Sequence, residues 1–130
     1  MIYLDSSALV KLVVTEPESQ ALSLWLAERA DQAMVSSALH RTEVPRAAWR
    51  ADPSGFPRSL RQMRGVEKVA VTTAILDSAA AIPPPALRSA DAIHLASALS
   101  IRRDISTFVA YDKKLLEAAA QAGLPTASPA

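Results

Sequence analysis

Residues 1–14 read MIYLDSSALVKLVV. Ile2-Tyr3-Leu4 is a short apolar run of strand-forming residues. It ends at Asp5. Ser6 or Ser7 is suited to cap a helix, which the pattern predicts over Ala8–Val14. The same order of strand, aspartate and helix recurs at 107–122, TFVAYDKKLLEAAAQA. There a β-rich run, Thr107–Tyr111, leads to Asp112 and then to a helix over Lys113–Ala122, closed by Gly123 and Pro125.

Between these ends the alternation continues. Glu16-Pro17-Glu18 opens a helix in which Ala21, Leu22, Trp25 and Leu26 recur at helical spacing, so Trp25 reads as a core residue. Ala33–Ser36 predicts a strand, followed by a helix from about Ser37 to Arg50 that Asp52-Pro53-Ser54-Gly55 breaks. Pro45 removes a hydrogen bond from that helix and crowds the Arg41 carbonyl, so the helix either kinks or begins near Thr42. Phe56–Arg64 is a further basic helical piece. Val66–Val71 predicts a strand, Thr72–Ile82 a helix, and Pro83-Pro84-Pro85 a stiff loop. Ser89-Ala90-Asp91 caps a helix to about Ile101, and the small polar tail Thr126–Ala130 is expected to fray. Short apolar strands alternating with helices imply an α/β fold. Its form is a three-layer α/β/α sandwich with a central, mainly parallel sheet.

Composition narrows the function. The chain has 130 residues, the length of one domain, 1–130. Half of them are hydrophobic and 21% charged, the balance of a globular rather than a disordered chain. The absence of cysteine excludes a disulfide framework, a zinc–thiolate site and a cysteine nucleophile. With only three glycines there is no Gly-rich phosphate loop. The start lacks the charge and apolar pattern of a signal peptide, and no run reaches the roughly 18 apolar residues of a membrane span. The protein is therefore expected to be soluble and cytoplasmic.

The formal net charge is +1, but its distribution is uneven. From His40 to Lys68, six arginines and one lysine stand against Glu43, Asp52 and Glu67, so this window carries +4 and the remainder −3. Such a window suits either a polyanion or a solvated pair of helices.

The acids are more informative. In a parallel sheet the functional crevice lies beyond the carboxyl ends of the strands. Asp5 and Asp112 end strands, Asp91 sits in a helix first turn, and Glu43 follows the second strand. Each has an ordinary reading. Asp5 and Asp112 are suited to cap the following helices, Asp91 to face a helix dipole, and Glu43 to pair with Arg46 or Arg50. Together at one edge they would repel one another unless a divalent cation neutralised them. Oxygen donors without thiolates select a hard ion, Mg²⁺ or Mn²⁺. Arg46 and Arg50 lie three and seven positions after Glu43, within about 60° of it around a helix. A carboxylate and two guanidiniums on one face suit a phosphodiester. His94, three residues after Asp91, is expected to pack or bond within its helix, and His40 to lie at the surface.

The segments MIYLDSSALVKL (1–12), SALHRTEVPRAAWR (37–50), LRSADAIHLASAL (87–99) and TFVAYDKKLLEAA (107–119) resemble PIN-domain proteins of the VapC toxin type, nearly end to end. The resemblance implies a Mg²⁺-dependent endoribonuclease, the toxin of a type II toxin–antitoxin pair. It implies metal-binding, catalytic roles for Asp5, Glu43, Asp91 and Asp112. It also implies a homodimer, an antitoxin that inserts a segment into the groove, and a structured RNA target, transfer or ribosomal. Asp5 and Asp91 are then expected to hold a first ion, with Arg41, Arg46 and Arg50 on the RNA. Ala110 stands where such proteins often carry Thr or Ser, two residues before the last aspartate. Two alternatives remain at this point. One is a non-catalytic PIN-like RNA-binding or regulatory protein. The other, a phosphoacceptor receiver domain, wants paired acids after the first strand, whereas Asp5 is followed by Ser6.

Overall fold

Ile2–Leu4 forms β1, the middle strand of a five-stranded sheet, in the computed structural model, which describes residues 1–130. All three residues are buried, because helices cover both faces of the sheet. Met34–Ser37 forms β2, Glu67–Val69 β3, Thr107–Val109 β4 and Thr126–Ala127 β5, in the spatial order β3-β2-β1-β4-β5. Every neighbouring pair is parallel. The helices are α1 (Ser6–Val13), α2 (Ser19–Ala27), α3 (His40–Ala51), α4 (Phe56–Met63), α5 (Thr73–Ala80), α6 (Ser89–Ser100) and α7 (Lys113–Gln121).

The pleat sends successive side chains to opposite faces, and two cores result. Ile2 and Leu4 pack with Leu9, Leu22, Val44 and Met63 of α1–α4. Tyr3 packs with Ile75, Leu95 and Leu115 of α5–α7 and with Phe108 of β4. Tyr3 and Phe108 are opposite each other in the β1–β4 register, and their rings stack at 5.1 Å with planes 7° apart. The architecture is the three-layer α/β/α sandwich that the alternation implies.

Several local expectations are corrected. Asp5, not Ser6 or Ser7, caps α1: its Oδ1 accepts from the Ala8 N–H at 2.9 Å and the Ser7 hydroxyl at 2.7 Å. An ionised carboxylate is the stronger acceptor, and Ser6 becomes the first helical residue, free to bond elsewhere. The helix α3 begins at His40 and runs through Pro45 without a break. Pro45 is buried there, so packing offsets the lost hydrogen bond. Arg88, not Ser89, holds the N-cap position of α6, with no side-chain bond to the backbone. The tail does not fray into solvent. Phe108 N–H donates to the Pro125 carbonyl at 2.7 Å, and the Tyr111 hydroxyl to the Pro129 carbonyl at 2.7 Å. The outer edge of β4 carries unpaired backbone groups that β5 satisfies. At the opposite edge β3 is short, and Glu67 and Lys68 are exposed on it, features that discourage further strand pairing. No helix is long and apolar enough to cross a membrane.

Candidate active site

The strand order reverses between β1 and β4, since their outer neighbours β2 and β5 lead away in opposite directions. In parallel sheets such a switch point opens a crevice at the carboxyl edge. Asp5 follows β1 directly, and its N–H donates to the Val109 carbonyl at the end of β4 at 3.1 Å. Asp112 follows β4 by three residues and caps α7, its Oδ1 accepting from the Leu115 N–H at 2.9 Å. Asp91, in the first turn of α6, bonds Arg88 Nε through Oδ2 at 3.3 Å. Asp91 and Asp112 line one cleft of about 540 Å³ together with Arg88, Lys113 and Glu117.

Glu43 lines a neighbouring cleft with Ser6, Ser7, Arg46 and Arg50. The sequence allows it to pair with an arginine of its own helix; instead it turns inward. Its Oε1 accepts from the Ser6 hydroxyl at 2.7 Å and lies 3.0 Å from His94 Nε2. His94 packs in the interior, as expected, and its hydrogen bonds leave α6. Its Nδ1 is 2.9 Å from the Tyr3 hydroxyl, which also accepts the Ser37 N–H at 2.9 Å. Burial raises the Tyr3 pKa far above its ordinary value, so the phenol keeps its proton. The phenol therefore donates to Nδ1 and leaves the imidazole N–H on Nε2, aimed at Glu43. A continuous path of hydrogen bonds thus links the end of β2 through β1 and α6 to α3. His40 is also not at the surface. It is fully buried, its Nδ1 2.8 Å from the Ser37 carbonyl and its Nε2 3.4 Å from the Met63 carbonyl.

The two inner carboxylates respond differently to this setting. Asp5 is 3% exposed, and burial pushes its pKa up. The bonds from Ser7 and Ala8 and the proximity of His94 oppose the rise, while the Asp91 charge adds to it. Burial would also raise Glu43, but the bonds from His94 and Ser6, with the nearby Arg88 charge, hold it below the usual glutamate range.

No three Asp, Glu or His side chains stand together as a ready metal cage. The donor set nevertheless fits a hard ion. In each of the four acids one oxygen is engaged within the protein, namely Asp5 Oδ1, Glu43 Oε1, Asp91 Oδ2 and Asp112 Oδ1. The other oxygen of each accepts no protein hydrogen bond. Mg²⁺ needs one or two carboxylates and keeps several waters, so a full cage is not required.

Arg46 and Arg50 share the Glu43 cleft. Arg41 lies about 160° around the helix from Glu43 and lines neither cleft. None of the seven cations between His40 and Lys68 takes part in an ion pair; the pairs present are those of Lys11, Arg29, Arg88 and His94. Ala110 is fully buried within the α5–α7 core, so a methyl group fills a packed position there. Sequence reading missed Tyr3 and Ser6 as site residues. The available signal was a phenol in a strand buried on both faces, where its hydroxyl must find a partner.

Comparison with known proteins identifies the family. Ribonuclease VapC47 of Mycobacterium tuberculosis is 39% identical over 132 residues, covering 99% of this chain and 97% of that protein. Ribonuclease VapC35 of the same organism is 40% identical over 131 residues, with 99% and 97% covered. The crystal structure of Mycobacterium tuberculosis VapC20, described as a Sarcin-Ricin loop cleaving toxin, superposes with a TM-score of 0.71 at 17% identity. It covers 99% of this chain and all of that one, a likeness of fold. The family model for the PIN domain matches residues 2–121, the span that holds all four acids, and the chain belongs to the PIN-domain family.

Proposed function

We propose that this protein is a metal-dependent endoribonuclease, the toxin of a type II toxin–antitoxin pair, cleaving structured RNA by phosphodiester hydrolysis. The observation that carries the reading is the carboxyl edge of the sheet. Four carboxylates lie along it, each with one oxygen fixed by the protein and one unused. The ribonuclease names of relatives near 40% identity support the activity.

Asp5 and Asp91 would hold Mg²⁺ or Mn²⁺, with Glu43 and Asp112 completing its surroundings directly or through water. Such an ion would supply a water of lowered pKa and neutralise charge on the phosphoryl oxygens. The chain's own groups do the rest. Ser6 and His94 fix the Glu43 carboxylate and keep it ionised. Burial keeps Asp5 short of water, so a cation is its most effective partner. Arg46 and Arg50, free of ion pairs beside Glu43, are placed to take the neighbouring phosphates. The products are a 5′-phosphate and a 3′-hydroxyl. Transfer or ribosomal RNA is the substrate class, because unpaired loops enter an open groove more readily than duplex. We assign the protein to the cytoplasm, as a homodimer held inactive by a cognate antitoxin protein.

The test is purified protein on a mixed structured RNA, with Mg²⁺ and with EDTA. Cleavage that the chelator abolishes, and that Asp5→Asn or Asp91→Asn removes, is expected. RNA intact in both lanes would replace this reading with that of a non-catalytic PIN-like RNA-binding protein.

A further inference from the structure

The α3–α4 hairpin carries an aromatic pair that the acidic edge does not use. Trp49 is 52% exposed. Phe56, the first residue of α4, packs against it with ring centroids 5.3 Å apart and planes 40° apart. A single exposed apolar side chain needs no explanation. Trp49 differs in its neighbours. It shares a surface hollow with Arg46 and Arg50, and the same two arginines line the cleft with Glu43. Both guanidiniums are free of ion pairs.

The order of these groups around α3 is informative. At about 100° per residue, Arg46 lies about 60° from Trp49, Arg50 about 40° further, and Glu43 about 20° beyond that. An aromatic face, two cations and the site carboxylate therefore follow one another across a third of the helix surface. A single strand of RNA offers the matching sequence: a base with a π-face, then phosphates. Base faces in a duplex are hidden by stacking, so the match is to an unpaired nucleotide. Phe56 supports the indole from one side, which keeps the platform from folding away.

We propose that Trp49 is a stacking platform for an unpaired nucleobase of the RNA substrate, with Arg46 and Arg50 on the phosphates that lead from it to Glu43. The assignment rests on the nuclease reading above and adds a base-binding position to it.

The experiment uses the full chain in EDTA, so that RNA is bound and not cut. The probes are a hairpin with an unpaired loop and a perfect duplex of the same stem. Trp49→Ala weakens loop binding by about 5- to 100-fold, Trp49→Phe keeps most of the affinity, and neither changes duplex binding. In a Trp25→Phe background, loop RNA quenches the remaining indole fluorescence; the substitution is needed because Arg29 sits 3.9 Å over the Trp25 ring and Trp25 would add its own signal. Wild-type affinity in Trp49→Ala, or an unquenched Trp49 with RNA bound, overturns the platform while the nuclease reading stands. Wild-type protein that binds neither RNA, and cuts none when Mg²⁺ is restored, overturns both. A change in sedimenting mass on Trp49→Ala assigns the indole to a contact between copies and overturns the platform.

Discussion

The carboxylate at the end of β1 and the carboxylate in the first turn of α3 are both withdrawn from water, yet their pKa values move in opposite directions. Asp5 is almost fully buried, uses its two hydrogen bonds to cap α1, and feels the Asp91 charge. Glu43 is half-buried, accepts from Ser6 and His94, and feels Arg88. Burial alone raises both; the partners decide the outcome. One acid is left in need of a cation and the other is held ionised by the protein. A site that binds a hard ion gains from both kinds of group, since the first supplies the electrostatic demand and the second a fixed ligand.

The sharpest break of this contrast is in activity. Asp5→Asn and Glu43→Gln each lower Mg²⁺-dependent cleavage by at least about 10²-fold, the scale of losing a group that stabilises transition-state charge. Rates on a structured RNA under single-turnover conditions measure it. Loss from one variant only would show that the other carboxylate lies outside the reaction.

The path that supports Glu43 is tested next. Tyr3→Phe keeps the ring stacked on Phe108 but removes the hydroxyl that accepts from Ser37 and donates to His94. Leaving those buried groups unpaired destabilises the protein by about 1–3 kcal/mol, read as a lower urea midpoint with an unchanged slope. Metal affinity should weaken as well, since the imidazole is no longer held toward Glu43. A midpoint equal to wild type would mean that the path carries no strain-free bonding of consequence.

The metal-free melts separate the two acids by sign. A raised folded-state pKa, as for Asp5, gives stability that is fully present below the unfolded value, about 3.9, and is lost as pH rises through the folded value. Asp5→Asn removes that loss and still accepts the Ala8 N–H as a cap. In EDTA the variant should be as stable as wild type or more so, with the difference growing from about pH 4 upward. A large destabilisation at neutral pH would count against any crowding of Asp5 by Asp91.

Glu43 should bend the other way, and least. Its lowered pKa gives stability present above the unfolded value, about 4.3, and lost as pH falls through the folded value. Glu43→Gln then loses a few tenths of a kcal/mol at neutral pH, because its half-exposed bonds are screened by solvent. The loss should fade on acidification. Thermal melts between pH 3 and pH 7, compared with those of Asp5→Asn, would show whether the two curves truly diverge.

The strands and helices were largely legible because their signals are local. Strand, aspartate and helix follow within a few residues at both Asp5 and Asp112, and apolar alternation places those acids at one sheet edge. The errors came where a local signal met a distant partner. Thr126–Ala130 has the composition of a frayed tail, yet β4 recruits it as a neighbour. His40 lies beside Arg41 in sequence and reads as surface, yet it bonds the Met63 carbonyl across the α3–α4 pair.

The chain by itself determined the alternating strand–helix order, the all-oxygen donor set and the basic window that follows β2, because period, residue type and charge are written in neighbouring positions. Only the tertiary structure decided which partner each acid received. Glu43 meets Ser6 and His94 from 37 and 51 residues away, and Tyr3 meets His94 from 91 residues away. Those meetings depend on the order of strands in the sheet, which sets the spatial neighbours of each strand end and is not encoded within any one segment.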